Sequence, residues 1–172
     1  PHVWRSRVGA VMQDNYIFSD TIARNIVVGE EKIDTERLRH AVKVANIGDF
    51  IYSLPMGFDT RIGMEGSGIS QGQRQRILIA RAVYKAPEYI FLDEATNSLD
   101  GTNESVIMRN LKDFYKGRTV VVVAHRLSTV RHADNIIVLE KGRVVEEGTH
   151  EQLLRRRGTY CKLVKSQLKL ED

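Results

Sequence analysis

Apolar residues in the first half of the chain recur at the spacing of an α-helix. Between residues 34 and 48 they lie three or four positions apart, at Leu38, Ala41, Val42 and Ala45. This period predicts a helix with one buried face. Asp34 precedes the pattern and is a favourable N-cap residue, and Gly48 is expected to end the helix.

After Pro87 the pattern changes to short runs that are apolar on both faces. Residues 89–92 and 120–124 are two such runs, and a helical pattern that carries Ile107, Leu111 and Phe114 separates them. Strands without a polar face, joined by a helix, are typical of a buried parallel sheet. Residues 4–12 predict a further strand that runs into a turn. The whole pattern therefore predicts an α/β fold.

The end of the chain has a third pattern. Residues 135–139 and 143–147 flank Glu140-Lys141-Gly142, which predicts a β-hairpin. Thr149 is followed three positions later by Gln152, and this spacing predicts a capping box that opens the last helices. Cys161 is expected to be a packed thiol in the C-terminal helix.

The composition limits the class of protein but does not indicate a function. The 172 residues are 42% hydrophobic and 28% charged, which is typical of one globular domain or part of one. No apolar run approaches the roughly 18–20 residues that cross a bilayer. The net charge of +4 is a mild excess of scattered residues, so no nucleic-acid partner is expected.

A long helix is predicted to begin at Ser70 and to run to about residue 84. Ser70 and Gln73 have the spacing of a capping box, which is a structural role. Gly68 and Gly72 leave the backbone open to close approach, and the exposed amides of a helix N-terminus bind anions. The same stretch therefore also suits a terminal phosphate group.

Two carboxylates, Asp93 and Glu94, follow the apolar run 89–92. Ligands bind at the carboxyl ends of the strands in open α/β sheets. One carboxylate there can hold Mg²⁺, and a second can deprotonate an attacking water. His125 follows the next apolar run, where a lone histidine is more often structural than catalytic. Neither an acidic turn nor such a histidine decides the function alone.

In combination, these stretches resemble the second part of the nucleotide-binding domain of ATP-binding cassette (ABC) transporters, most closely of the exporter type. Residues 69–73 read Ile-Ser-Gln-Gly-Gln, similar to the family signature Leu-Ser-Gly-Gly-Gln, and Arg-Gln-Arg at 74–76 extends the similarity. Tyr-Ile-Phe-Leu-Asp-Glu at 89–94 resembles the Walker B motif, and residues 95–100 resemble the D-loop. Ala-His-Arg-Leu-Ser-Thr at 124–129 is similar to the segment of the switch histidine, and Val-Met-Gln-Asp at 11–14 to the Q-loop.

The resemblance implies a role for each polar residue at the strand ends. Asp93 would hold Mg²⁺, and Gln13 would reach the metal and the attacking water. Glu94 would be the general base, and His125 would contact the γ-phosphate and hold Glu94 and the water in line.

The resemblance also implies contacts with nucleotide in a head-to-tail pair of domains. Each ATP would lie between one domain and the signature of the other. The residues implied for nucleotide binding are those of the signature and the D-loop: Ser70, Gln71, Gly72, Gln73, Ser98 and Asp100.

Some parts of the family pattern differ or are absent. Gln71 stands where the signature usually has glycine, the first two D-loop positions differ, and Met64 follows Gly63 where exporters usually have glutamate. A phosphate-binding P-loop requires Gly-Lys-Ser/Thr. None of the thirteen glycines is followed by lysine, so this chain contains no such loop.

The implied fold is a partial parallel-sheet core of the P-loop NTPase type with an inserted α-helical signature subdomain. Residues 1–14 would supply a core strand and the Q-loop, residues 15–85 the helical subdomain, and residues 86–172 the rest of the ATPase core. All three belong to one partial nucleotide-binding domain. Without the P-loop strand and its helix, part of the sheet is expected to be uncovered, and the isolated chain to be poorly stable or prone to aggregate.

The implied function is hydrolysis of MgATP, coupled to export across a membrane. The implied partners are a second nucleotide-binding domain and transmembrane domains, with the ATPase at the cytoplasmic face of the cell membrane; the chain alone is expected to be inactive. Two alternatives remain at this point. One is a soluble ABC-type ATPase that acts on DNA or the ribosome, and the other is an inactive interaction fragment.

Overall fold

The computed structural model of the chain describes residues 4, 7–12, 16–63, 68–93, 99, 101–123 and 127–168. The chain forms two compact units, Pro1–Val123 and Ala124–Asp172. Among the described residues, no helix has both the length and the apolar character that a membrane span requires.

The first unit contains a parallel sheet of three described strands in the order β1-β2-β3. These strands are β1 (Val8–Val11), β2 (Tyr89–Asp93) and β3 (Thr119–Val123). Val11 lies opposite Leu92, and Asp93 lies opposite Val123. All three strands therefore end at the same edge of the sheet, with β2 in the middle. The predicted α/β fold with a parallel sheet is confirmed.

Trp4 and Arg7 are helical, so the strand predicted for residues 4–12 begins at Val8. Five further α-helices, whose bounds the structure describes, accompany this sheet in the first unit. They are α1 (Ile22–Ile26), α2 (Thr35–Val44), α3 (Gly48–Ser53), α4 (Gln71–Lys85) and α5 (Gly101–Phe114), with a short 3-10 helix at Gly57–Asp59.

Helix α4 is the central element of the first unit. It packs against α1, α2 and β1, and its residues Ile77–Ala80 are at most 2% exposed. Apolar residues on nearly all sides of its second half explain this burial, because such a helix must be covered all round. At its C-terminus Ala86 adopts a left-handed conformation with φ 48°, and Pro87 prevents a further helical turn.

The ring of Pro87 lies against Gly9 of β1. A Cβ atom at residue 9 would lie only 2.6 Å from Cγ of Pro87. This distance is too short for any side chain, so the close approach of the end of α4 to β1 requires glycine at this position.

The predicted end of α2 is wrong. The helix ends at Val44, not at Gly48, and Gly48 is the first residue of α3. Asn46 makes the turn, with φ 51°, and its side-chain amide donates to Oδ1 of Asn103 at 2.9 Å. Asparagine tolerates this left-handed conformation better than most residues, so the chain turns without glycine.

The second unit contains a hairpin and helices. Strands β4 (Ile136–Glu140) and β5 (Arg143–Gly148) are antiparallel and joined by Lys141-Gly142, both with positive φ. These angles are typical of a type I′ turn, and the predicted hairpin is confirmed. Helices α6 (Leu127–Val130), α7 (His150–Arg156) and α8 (Thr159–Leu168) complete the unit.

Two further predictions in this unit are confirmed. Thr149 and Gln152 form the capping box of α7, and Cys161 is buried in α8. One face of the hairpin packs on the last two helices through a small core: Ile136, Val138, Leu153, Tyr160 and Val164.

The predicted burial of the strand 120–124 is only partly correct. Val120 packs against the core, but Val121, Val122 and Val123 are 44%, 38% and 52% exposed. The reason is that β3 is an edge strand of the described sheet, paired with β2 on one side only. A parallel edge with apolar side chains can pair with other chains.

This edge leads to a prediction for the isolated 172-residue chain. Val121→Lys should reduce its self-association, because a charged side chain on an edge strand opposes pairing with another copy. Light scattering and size-exclusion chromatography would measure the change, with circular dichroism to confirm that the fold is retained. Val120→Lys is the matched control: it buries a charge and should unfold the chain. An unmodified chain that is monomeric and unchanged by Val121→Lys would contradict the prediction.

Candidate functional site

The described site residues lie in two places in the first unit. Asp93 is half-buried at the carboxyl end of the central strand β2. Ser70 and Gln71–Gln73 lie at the start of α4. Within the described part of the chain no hydrogen bond joins Asp93 to this helix start.

The start of α4 is held by the predicted capping box. The backbone amide of Gln73 donates to Oγ of Ser70 at 3.2 Å, and the amide of Ser70 donates to Oε1 of Gln73 at 2.8 Å. The amide of Arg74 donates to the carbonyl oxygen of Ser70 at 2.9 Å. The structural role predicted for Ser70 and Gln73 is therefore confirmed.

The capping box leaves two amides of the first turn for a ligand. An α-helix cannot pair its first amides internally, and those of Gln71 and Gly72 have no hydrogen-bond partner within the described residues. Ser70 and Gln71 are exposed, so this helix end is accessible. Two accessible amides at the positive end of a 15-residue helix can bind an anion.

Several predicted site residues lie outside the described residues: Gln13, Glu94, Ser98, Asp100 and His125. Their positions in the sequence still relate three of them to the sheet. Gln13 follows the last residue of β1 by two positions, Glu94 follows that of β2 by one, and His125 follows that of β3 by two. The three strands that precede them are parallel neighbours.

Asp93 is compatible with a magnesium site. Its carboxylate offers hard oxygen ligands, and Mg²⁺ is commonly held by only one or two carboxylates together with phosphate oxygens and water. The described residues contain no cluster of three or more His, Cys, Asp or Glu side chains, as a site built from protein ligands alone would need. A single carboxylate such as that of Asp93 fits a metal that arrives with a phosphate group.

A shallow groove of about 570 Å³ opens in the first unit beside α1. Phe18 and Val28 give it apolar walls, and Asp20 and Glu31 make it acidic. Arg24 lines the groove too, but its guanidinium donates to the carbonyl oxygens of Glu30 and Glu31 at 2.9 and 3.2 Å. Its hydrogen-bonding capacity is thus partly used to hold the groove together.

Arg81 and Asn25 form a polar junction that the sequence reasoning missed. Arg81 is half-buried on α4, and Asn25 is fully buried on α1. Nε of Arg81 donates to the carbonyl oxygen of Asn25 at 2.7 Å, and Nη1 donates to that of Tyr16 at 2.9 Å. Burial lowers the pKa of Arg81 to about 10, which still leaves the guanidinium charged at neutral pH. The only indication of this junction in the sequence was a single arginine within the otherwise apolar run of α4.

A second polar cluster ties α4 to the start of α2. The hydroxyl of Tyr84 donates to Glu30 at 3.0 Å and accepts from the amide of Asp34 at 3.1 Å. The guanidinium of Arg37 lies 4.3 Å from the centre of the Tyr84 ring and donates to the Tyr84 carbonyl oxygen at 2.7 Å. Burial raises the pKa of Tyr84, so its hydroxyl stays protonated. This cluster is structural.

Comparison with known proteins identifies the class to which this fold and site belong. Residues 1–97 match the family model described as ABC transporter. The match covers more than half of the chain, so the chain belongs to the ABC transporter family. The resemblance inferred from the motifs is thereby confirmed.

The relatives are exporters. The chain is 49% identical over 166 residues to an ATP-dependent lipid A-core flippase of Saccharophagus degradans, covering 96% of this chain and 28% of the flippase. It is 47% identical over 156 residues to a Staphylococcus aureus protein described as a multidrug export ATP-binding/permease protein. This match covers 91% of this chain and 27% of that protein.

A solved structure of an ABC exporter also matches the chain. The chain superimposes on a bacterial Atm1-family ABC exporter with ATP bound, with a TM-score of 0.90 and 41% identity. The match covers 95% of this chain and 28% of the exporter. The chain thus spans a little more than a quarter of the length of these relatives.

The capping box gives a prediction about stability. Ser70→Ala should lower the free energy of unfolding by about 1 kcal/mol, because one amide of the first turn loses its acceptor. Ser70→Asn should stay close to the unmodified protein, since asparagine caps helices about as well as serine. Urea unfolding followed by circular dichroism would compare the two variants. Equal midpoints for alanine and asparagine would show that the cap contributes nothing.

Proposed function

We propose that this chain is the C-terminal part of the ATP-hydrolysing domain of an ABC exporter. In the whole protein, binding and hydrolysis of MgATP would drive export across a membrane. One observation carries the proposal: three neighbouring parallel strands end at one edge of the sheet, and each is followed within two residues by a polar residue of the family's ATP site. Neighbouring strands lie about 4.8 Å apart, and the family resemblance assigns the residues that follow them to one phosphate group.

The family resemblance divides the chemistry among these residues. Asp93 and Gln13 would hold the magnesium ion, which would supply positive charge to the phosphate oxygens. Glu94 accepts a proton from the attacking water, while His125 holds the water in line with the γ-phosphorus. The new bond forms between the water oxygen and phosphorus, the bond to the β–γ bridging oxygen breaks, and ADP leaves.

The start of α4 acts on a second nucleotide. The amides of Gln71 and Gly72, which have no partner among the described residues, bind together with Ser70 and Gln73 the terminal phosphate of an ATP held by another nucleotide-binding domain. Ser98 and Asp100 complete the contact between the two domains. Ser70 begins α4 and Asp93 ends β2, and no hydrogen bond joins them among the described residues. This arrangement is compatible with a division between two sites, as is the absence of a Gly-Lys sequence from these 172 residues.

The groove beside α1 is the proposed contact with the membrane domains. The loops of membrane proteins on the cytoplasmic side are enriched in lysine and arginine. A groove with acidic residues such as Asp20 and Glu31 around apolar Phe18 and Val28 complements a short amphipathic helix of that composition. This match also supports a position at the cytoplasmic face of the membrane.

The relatives named as exporters favour export over the alternative of an ATPase that acts on DNA or the ribosome.

A first test concerns the general base. Glu94→Gln in the full-length protein should abolish steady-state hydrolysis, because an amide cannot accept the proton, while ATP binding is retained. Phosphate release and nucleotide binding would be measured separately. Glu88→Gln is the matched control: Glu88 immediately precedes the same strand, and its side chain makes an exposed ion pair with Arg7 at 3.4 Å. Turnover by Glu94→Gln at the rate of the control would refute the role of Glu94.

A second test concerns the shared site. Ser70→Asp and Ser70→Asn are nearly identical in shape, and both residues cap helices well. Only aspartate places a negative charge where the partner's phosphate would lie. Hydrolysis by the aspartate variant should therefore be lower than that of the asparagine variant by about tenfold or more, at equal thermal stability. Similar rates for the two variants would exclude a phosphate at this helix end.

A further inference from the structure

We propose that Arg81 is a positioning residue that joins the ATP-contacting helix α4 to the wall of the groove beside α1. Movement of α4 on binding ATP would then carry the groove wall with it. The proposal rests on the proposed function, because it assigns to Arg81 the transmission between the two surfaces named there. Arg81 itself lies outside both surfaces, the start of α4 and the groove.

Arg81 reaches across from α4 to two separate parts of the chain. Its Nε donates to the carbonyl oxygen of Asn25 on α1, at 2.7 Å, and its Nη1 donates to that of Tyr16 in the preceding segment, at 2.9 Å. Nη2 lies 3.4 Å from Oδ1 of Asn25. One planar group thus fixes α4, α1 and the segment before α1 in a single geometry.

Asn25 extends this junction to the groove. Its side-chain amide donates to the carbonyl oxygens of Phe18 and Thr21, both at 3.0 Å, and its Oδ1 accepts from the amide of Phe18 at 2.8 Å. The turn that carries Phe18 and Asp20 is therefore held by Asn25. Both of these residues line the groove.

Arg81 also touches the groove wall directly. The centre of its guanidinium lies 5.3 Å from the centre of the Phe18 ring, within the range of a cation–π contact. Phe18 is 43% exposed, so its ring presents one side to Arg81 and another to the solvent in the groove. A displacement of Arg81 would therefore act on a side chain that a docked partner would touch.

The position of Arg81 on α4 suits transmission. It lies eleven residues after Ser70, about 16 Å along the helix axis at 1.5 Å per residue. The intervening residues Ile77–Ala80 are buried, so this part of α4 is expected to move as a rigid body. Ser70 at one end and Arg81 further along would then move together.

Lysine at this position would keep the charge but not the junction. The three N–H donors of lysine radiate from one nitrogen, so they cannot reproduce the planar group in which Nε reaches Asn25 and Nη1 reaches Tyr16. The matched control is Arg118→Lys. Arg118 is also half-buried, donates to the carbonyl oxygens of Pro87 and Phe114, and lies 4.2 Å from the centre of the Phe114 ring, but its described contacts include neither α4 nor the groove.

The experiment compares hydrolysis and transport in the full-length exporter reconstituted in vesicles. Arg81→Lys should retain the ATP affinity and basal hydrolysis rate of the unmodified protein, while transport per ATP hydrolysed falls by about tenfold. Arg118→Lys should leave both quantities unchanged. A role in folding alone would lower hydrolysis, transport and thermal stability together, and that result would overturn the proposal. Unchanged transport per ATP in Arg81→Lys would also overturn it.

A second measurement covers the case in which Arg81→Lys does not fold. Hydrogen exchange in the unmodified full-length protein should show that ATP changes the protection of residues 16–25 together with that of the first turn of α4. A change at α4 without one at residues 16–25 would overturn the proposal. If ATP is neither bound nor hydrolysed by the unmodified protein, it is the proposed function that fails, so the two failures are distinguishable.

Discussion

The parallel pairing of β2 with both β1 and β3 is the constraint on which the rest of the first unit depends. Parallel strands must run in the same direction, so their carboxyl ends meet at one edge, and the polar residues that follow them come from distant parts of the sequence. Val11 and Leu92 are opposite each other although about eighty residues separate them. The connection between them contains α4, which packs on β1 and so has its position set by the same sheet.

The start of α4 combines a structural role, which the capping box shows, with the proposed role of binding a phosphate group. The capping box at Ser70 and Gln73 stabilises the helix by satisfying two amides. By fixing which amides are satisfied, it also leaves those of Gln71 and Gly72 oriented along the helix axis. An anion site built in this way needs no charged side chain. A side chain of glutamine instead of glycine at residue 71 is tolerated by the helix, because Gln71 is exposed.

Most of the fold could be predicted from sequence patterns that extend over only a few residues. The capping boxes at Ser70 and Thr149 and the turn at Lys141-Gly142 depend on residues within a few positions of each other, and the structure has all three. The predicted helix end at Gly48 failed because Asn46 can take the same backbone conformation as glycine. The predicted burial of β3 was only partly correct, because apolar composition does not say whether a strand has neighbours on both sides.

The contacts of Arg81 could not have been predicted in this way. Its partners Tyr16 and Asn25 are 65 and 56 positions away in the sequence, and both offer backbone carbonyl oxygens, which every residue has. An arginine on a helix is usually exposed. The family resemblance indicated the types and the order of the residues proposed for the ATP site, and the described strands that precede three of them end at one edge of the sheet.

The contact between Gly9 and Pro87 has a consequence for variation among relatives. The ring of Pro87 occupies the space that any side chain at residue 9 would need, and the same proline ends α4. A larger residue at position 9 is therefore compatible with this fold only if position 87 loses its ring, and then α4 loses the residue that stops it. The two positions should change together or not at all, so an alignment of relatives is expected to show them as a correlated pair whose members are 78 positions apart.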